Sequence, residues 1–181
     1  EIYTLSLHDA LPILALLFMS ALTAIAQAVS VSSPNGKLKV DITCQNGQAA
    51  YTVSYDGKTM MTPSALGLKT DIGDYTKGLK LTDSQQNSVD KTYTMTRTKT
   101  STSHFIANQL DVTLTNADDM PMVVTFMVSD NDIAFRYTLQ KGKLKDTNSV
   151  VIQSETTGFN FPDQATSFKA KIGRASCRER V

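Results

Sequence analysis

Across the middle of this chain apolar residues recur at every second position, and the runs that carry them are cut by Asn-Gly, Asp-Gly and Asp-Asn pairs. Successive side chains of an extended backbone leave on opposite sides, so a period of two marks a strand with one buried face. Lys37 to Thr43 sets Leu38, Val40 and Ile42 against Lys37, Lys39 and Asp41. Pro34-Asn35-Gly36 leads into this run, and Asn46-Gly47 leads out of it toward Gln48 to Tyr55, where Tyr51, Val53 and Tyr55 share a face. Asp56-Gly57 then turns the chain into Lys58 to Met61. Such pairs supply the positive φ that tight hairpin turns need, so 37–61 is predicted as a three-stranded meander. Further strands are predicted at Leu79 to Thr82, Tyr93 to Lys99, His104 to Asn108, Gln109 to Thr115, Met122 to Val128, Ile133 to Leu139, Val150 to Gln153 and Phe159 to Phe161. No window keeps a helical apolar period. About ten short antiparallel strands without helices fold as an all-β sandwich rather than an α/β sheet.

The two ends read differently from this body. Glu1 to Ile13, written back into DNA, resembles a common sequencing-library adapter, and the reverse complement of that adapter, in frame, gives Lys171 to Val181 followed by a stop codon. Residues 1–13 and 171–181 are therefore expected to be adapter-derived and are set aside before the fold is read. Lys and Arg then fall from 18 to 14 with the loss of Lys171, Arg174, Arg178 and Arg180, and Asp and Glu from 17 to 14 with the loss of Glu1, Asp9 and Glu179. The near-neutral remainder has no basic patch, so no nucleic-acid partner is expected. Cys177 goes with the tail, and Cys44 alone has no internal disulfide partner. Thr43, Gln45, Asn46 and Gly47 beside it supply nothing to lower a thiol pKa, so a buried, inert Cys44 is expected.

With the head attached, Leu11 to Ala28 is an apolar run of roughly 18 residues, long enough to imitate a membrane span. Once the head is removed, Leu14 to Ile25 has the length of a signal h-region, and Ala26-Gln27-Ala28 is the small-x-small pattern of a signal cleavage site. Cleavage is expected before Val29, making 14–28 a signal peptide and 29–170 one secreted or periplasmic domain. The new N-terminus is Val29 rather than a lipid-bearing Cys, so no stable membrane anchor is expected.

Five segments in this domain carry a family resemblance. Ser33-Pro34-Asn35-Gly36-Lys37-Leu38, Tyr51-Thr52-Val53-Ser54-Tyr55-Asp56-Gly57-Lys58, Pro63-Ser64-Ala65-Leu66-Gly67-Leu68, Asn108-Gln109-Leu110 and Asp132-Ile133-Ala134-Phe135-Arg136-Tyr137 follow in order. In order and approximate spacing they are similar to the N-terminal domain of glycoside hydrolase family 97, over nearly all of Val29 to Phe168. Gln109 stands where the family often has an acid. The resemblance implies a large, bent, galactose-mutarotase-like supersandwich packed on a downstream (β/α)8 barrel that carries catalysis. It also implies exo-acting α-glucosidases or α-galactosidases of Gram-negative bacteria, acting on α-linked oligosaccharides and in many cases dependent on calcium. On this reading the sandwich is incomplete at its C-terminal side and the barrel is missing.

Glycoside hydrolysis needs two carboxyl groups flanking the scissile bond. After trimming, the only glutamate is Glu155, in a loop-like setting where a solvated carboxylate is the default. Asp118-Asp119 and Asp130-Asn131-Asp132 lie between strand-like runs, where Asp and Asn favour turns, and they lack the glycine and distal glutamate of a calcium loop. No catalytic and no metal-binding residue is therefore assigned, and no cofactor is expected within 29–170. His104, the sole remaining histidine, follows Ser101-Thr102-Ser103 and suits a hydrogen-bonded structural role. Arg136, between Phe135 and Tyr137, is the single candidate contact residue. It is expected to be half-buried, clamping a carboxylate or backbone group within or between domains, with a sugar contact as the second reading. The leading reading is the N-terminal scaffold of a secreted α-glycosidase; the alternative is a stand-alone periplasmic carbohydrate-binding or interaction sandwich without catalysis.

Overall fold

The computed structural model describes residues 27–96, 101–140 and 149–166. Ten strands cover most of them, with no helix among the described residues: β1 Gln27–Ser32, β2 Leu38–Gln45, β3 Gln48–Tyr55, β4 Lys58–Leu66, β5 Leu68–Thr70, β6 Lys80–Thr94, β7 Thr102–Thr115, β8 Pro121–Val128, β9 Ile133–Leu139 and β10 Ile152–Glu155. They form one four-stranded sheet in the order β1-β2-β3-β4, a second in the order β6-β7-β8-β9, and a two-stranded pair β10-β5. Every pairing is antiparallel.

The meander forms as its turn chemistry requires. Asn46 and Gly47 have φ of 51° and 75°, and Asp56 and Gly57 have 49° and 76°, so both corners place two successive residues in the left-handed region. Gly47 has a second reason to be glycine, since a Cβ there would lie 2.8 Å from the backbone nitrogen of Gly78. That close approach lets Leu79 N–H donate to Gly47 O at 2.9 Å and ties the meander to the chain entering β6.

The two four-stranded sheets bury their apolar faces against each other. Val40, Ile42, Tyr51 and Val53 of the first sheet join Leu110, Val112, Leu114, Met122, Val124 and Phe126 of the second in one core. Tyr51 lies 5.8 Å from Phe126 and 5.7 Å from Phe135, ring centre to ring centre, within the range of favourable tilted aromatic contacts. Cys44 belongs to this core, its Sγ donating to Leu79 O at 3.2 Å, and burial pushes its thiol above the ordinary range, as an inert cysteine requires.

β5 and β10 continue the edge of the first sheet. Beyond β10, Thr156 N–H donates to Gly67 O at 3.0 Å, Gly158 N–H to Ala65 O at 2.9 Å, and Thr62 N–H to Asn160 O at 2.9 Å. Residues 156–160 thus run antiparallel along β4. The strand predicted at Phe159 to Phe161 lies here but is not a regular strand. Pro63 has no N–H to offer, and Asn160 N–H turns to Ser64 Oγ at 2.9 Å rather than to a carbonyl, so the ladder is interrupted.

Two further corrections concern strand lengths. Leu79 to Thr82 and Tyr93 to Lys99 are not separate strands, since β6 runs unbroken for 15 residues from Lys80 to Thr94; 97–99 lie outside the described residues. His104 to Asn108 and Gln109 to Thr115 likewise merge into the 14-residue β7. The period-two pattern fails between Thr82 and Ser88 because both faces of β6 are exposed there, and the strand is held by its backbone ladder to β7 together with side-chain hydrogen bonds such as Gln86 Nε2 to Ser30 O at 2.6 Å. The expected signal segment lies outside the described residues as far as Ala26. Ala28 and Val29 sit in β1, which begins at Gln27, two residues ahead of the expected cleavage point.

Candidate functional site

One face of the second sheet meets the first sheet; the other is the candidate surface. Register places Arg136 of β9 beside Thr125 of β8, Thr125 beside Asp111 of β7, and Asp111 beside Gln85 of β6, in one row across the outer face. Asp111 is fully engaged there. Its Oδ1 accepts from Thr125 Oγ1 at 2.6 Å and its Oδ2 from Gln109 Nε2 at 2.7 Å. Gln109 therefore works as a donor to Asp111, a role that an acid at this position would not fill unless protonated.

Arg136 is not half-buried as expected. It is exposed, because the alternation that buries Phe135 and Tyr137 toward the first sheet turns Ala134, Arg136 and Thr138 outward, and β9 is the edge of its sheet. Among the described residues it makes no ion pair or hydrogen bond. It borders a shallow cavity of about 190 Å³ that Thr125, Met127, Ala134 and Phe135 also line. The row thus combines a satisfied carboxylate with an unengaged cation.

The inward side of β9 has its own polar arrangement. Gly67 N–H donates to Tyr137 Oη at 3.3 Å, Tyr137 Oη lies 2.7 Å from Thr157 Oγ1, and Thr157 Oγ1 donates to Glu155 Oε1 at 2.6 Å. Thr157 has one proton and gives it to Glu155, so Tyr137 must be the donor to Thr157. Hydrogen bonds therefore run in one direction from backbone to carboxylate. Burial raises the Tyr137 phenol above its ordinary value, which keeps it protonated and fit for this role. Tyr51 Oη donates to Gly158 O at 3.0 Å, so two core tyrosines, one from each sheet, hold the segment after β10. The loop-like Glu155 of the sequence is the exposed last residue of β10 and the end point of this relay.

Two turns are held by side-chain acceptors. Asp130 Oδ1 accepts from Asn35 N–H at 2.9 Å, and Asn116 Oδ1 accepts from Asp118 and Met120 N–H at 3.0 and 2.9 Å, with Asp119 at a φ of 59°. His104 Nε2 meets Asp90 Oδ1 at 2.6 Å in an exposed pair across β6 and β7. No group of three His, Cys, Asp or Glu side chains that could hold a metal ion by itself converges among the described residues.

Three comparisons identify relatives of this arrangement. A family model described as "Glycosyl-hydrolase 97 N-terminal" matches residues 31–180, running past Ala170 into the adapter-like tail. A crystal structure of a β-arabinopyranosidase superposes with a TM-score of 0.72 at 46% identity, covering 76% of this chain and 22% of that one. A glycoside hydrolase family 97 enzyme from Pseudoalteromonas sp. strain K8, solved with panose and with acarbose, superposes with a TM-score of 0.68 at 25% identity, covering 75% of this chain and 20% of that one. A probable retaining α-galactosidase of Streptomyces bingchenggensis is 28% identical over 137 residues, which are 76% of this chain and 20% of the relative. The chain thus spans about a fifth of the length of the proteins it matches. With a matching family model over most of its length and its superposition on those structures, this chain belongs to the glycosyl-hydrolase 97 N-terminal domain family.

Proposed function

We propose that this chain is the N-terminal β-sandwich of a secreted, exo-acting α-glycosidase, a scaffold for a downstream catalytic barrel that supplies no catalytic group itself. The observation that carries this reading is the fate of its carboxylates. Glycosidic cleavage requires two of them across a cleft, whereas Asp111, Asp130 and Glu155 are each held by hydrogen bonds within the sheets and turns. Any calcium site of the enzyme is completed by ligands elsewhere in the longer chain, since the described residues hold no group of three such ligands.

A galacto-configured substrate is favoured over a gluco-configured one. An α-D-galactopyranoside and a β-L-arabinopyranoside share one ring stereochemistry and differ by the exocyclic hydroxymethyl group. The β-arabinopyranosidase at 46% identity and the probable α-galactosidase therefore point to one kind of sugar pocket. The test is to recover the reading frame beyond Ala170, express the extended chain, and assay nitrophenyl α-galactoside, β-L-arabinopyranoside and α-glucoside. Turnover of the first two is expected; the lack of a barrel, or inactivity on all three, would defeat the reading. Cell fractionation of the native host, with the N-terminus sequenced, checks export and cleavage before Val29.

A second reading, a carbohydrate-binding or interaction module, draws on a cleft of about 530 Å³ whose polar lining includes Gln48, Lys77, Thr156 and Asn160. That volume suits a small ligand. Calorimetric titration with maltooligosaccharides and α-galactosides decides it, and flat titrations would dismiss it.

A further inference from the structure

Two tight corners of the first sheet carry the same Asn-Gly pair, Asn35-Gly36 and Asn46-Gly47, and both asparagines are exposed. Glycine has no side chain to shield its own amide nitrogen, so in either pair that nitrogen can approach the asparagine side chain before it. The hydrogen bonds around the two pairs differ. Asn35 Oδ1 accepts from Ser33 Oγ at 2.7 Å and from Lys37 N–H at 2.9 Å, and Asn35 N–H donates to Asp130 Oδ1 at 2.9 Å. Gly36 N–H, which would have to supply the attacking nitrogen, donates to Ser33 O at 2.9 Å.

Asn46 has none of these holds. Among the described residues its side chain makes no hydrogen bond, and its corner is tied through the Gly47 carbonyl, which accepts from Leu79 N–H, rather than through the Gly47 nitrogen. Asn46 also sits at a φ of 51°, where an L-residue is strained, whereas Asn35 is not among the residues of positive φ. The Asn46 corner therefore has less to lose when it opens locally.

We propose that Asn46 is a site of spontaneous deamidation and that Asn35, with the same neighbour, is protected by its hydrogen bonds. Gly47 N gives its proton to hydroxide and bonds to Asn46 Cγ as the Cγ–Nδ2 bond breaks. The departing nitrogen takes a proton from water and leaves as ammonia, and the ring that has closed is a succinimide. Water then opens the ring at either carbonyl and leaves aspartate or isoaspartate. Both products add a negative charge to the corner. Isoaspartate also routes the backbone through the side-chain carbon, lengthening a two-residue turn whose flanking residues Gln45 and Gln48 are paired. Gly47 then leaves its close approach to Gly78, and the bond from Leu79 that ties the meander to the chain entering β6 is lost.

Ageing the complete protein in mildly alkaline buffer, followed by tryptic peptide mapping, tests this, since Lys37 and Lys39 put the two asparagines in separate peptides. In the folded protein Asn46 is expected to exchange ammonia for water at least about tenfold faster than Asn35, the factor that the net worth of one or two hydrogen bonds implies. In denaturant the two rates are expected to converge. Ser33→Ala, which removes one hold on Asn35 Oδ1, should raise the Asn35 rate and leave that of Asn46 unchanged. In the isoaspartate-bearing fraction the Leu79 amide should exchange faster while the amides of Val112 and Val124 keep their protection. Equal rates at the two asparagines in folded protein, or a difference that survives denaturation, would overturn the proposal. An Asn35 rate untouched by Ser33→Ala would overturn the protecting role of its hydrogen bonds, and an unchanged Leu79 amide would overturn the loss of the tie to β6.

Discussion

The hairpin of β6 and β7 holds two regions with one backbone pattern and opposite surroundings. In the body, Leu110, Val112 and Leu114 of β7 are at most 1% exposed, under the aromatic residues of both sheets. In the arm past the end of β8, where β6 and β7 pair alone from Val89 opposite Ala107 to Thr94 opposite Thr102, the same strand carries Ile106 at 47% exposure, although the inter-strand ladder continues without a break. Hydrogen bonding therefore sets the shape of both regions while apolar burial distinguishes them. Because a backbone hydrogen bond adds little net stability and buried apolar surface adds most of it, the body should open only with global unfolding and the arm well before.

Five substitutions break or sharpen that contrast, each read by equilibrium denaturation. Phe126→Ala empties the centre of the body, where Tyr51 and Phe135 both touch its ring, and should cost about 3–5 kcal/mol. Gly47→Ala should cost roughly 2–3 kcal/mol, combining a strained positive φ with a contact against Gly78 backbone, whereas Gly57→Ala, with the same φ and open space around it, should cost only about 1–2 kcal/mol. Equal losses at the two glycines would deny the meander its tie to β6. Tyr137→Phe strands Gly67 N–H and breaks the relay to Glu155, at about 1–3 kcal/mol. His104→Ala removes an exposed pair from the arm and should shift global stability by no more than about 0.5 kcal/mol; a larger loss would mean that the arm belongs to the cooperative core.

The smallest effect is a pH dependence. Hydrogen bonds from the Thr76 hydroxyl and backbone N–H, helped by Lys77 and Lys69, hold the Asp74 carboxyl below its ordinary 3.8. Since the folded-state value is the lower one, its contribution is complete above pH 3.8 and is lost as pH falls through that lower value. Asp74→Asn should therefore flatten the acid limb of the stability curve below about pH 4 and leave neutral pH nearly unchanged.

Much of the fold was legible in the residues themselves. The corners at Asn46-Gly47 and Asp56-Gly57 state their φ angles, and the alternation from Leu38 to Tyr55 states which side is buried, because both are local consequences of covalent geometry. The candidate surface was less legible. Period placed Arg136 on the side of β9 opposite Phe135 and Tyr137, yet its full exposure, in place of the expected half-burial, depended on β9 being an edge strand, which depends on strand order. The relay through Tyr137, Thr157 and Glu155 joins three elements, and no local signal announces it.

By itself, then, the sequence determined strand identity, turn type and inner versus outer face in the meander and in β8 and β9, since those are set over two to four residues by sterics and amphipathic spacing. Only the tertiary structure decided that β6 and β7 are single long strands, that 156–160 closes the edge of β4, and that the β6–β7 pairing runs on past the end of β8. Those features come from long ladders and from pairings as far as 98 positions apart, where partner and register are chosen by packing the whole domain rather than by any local preference.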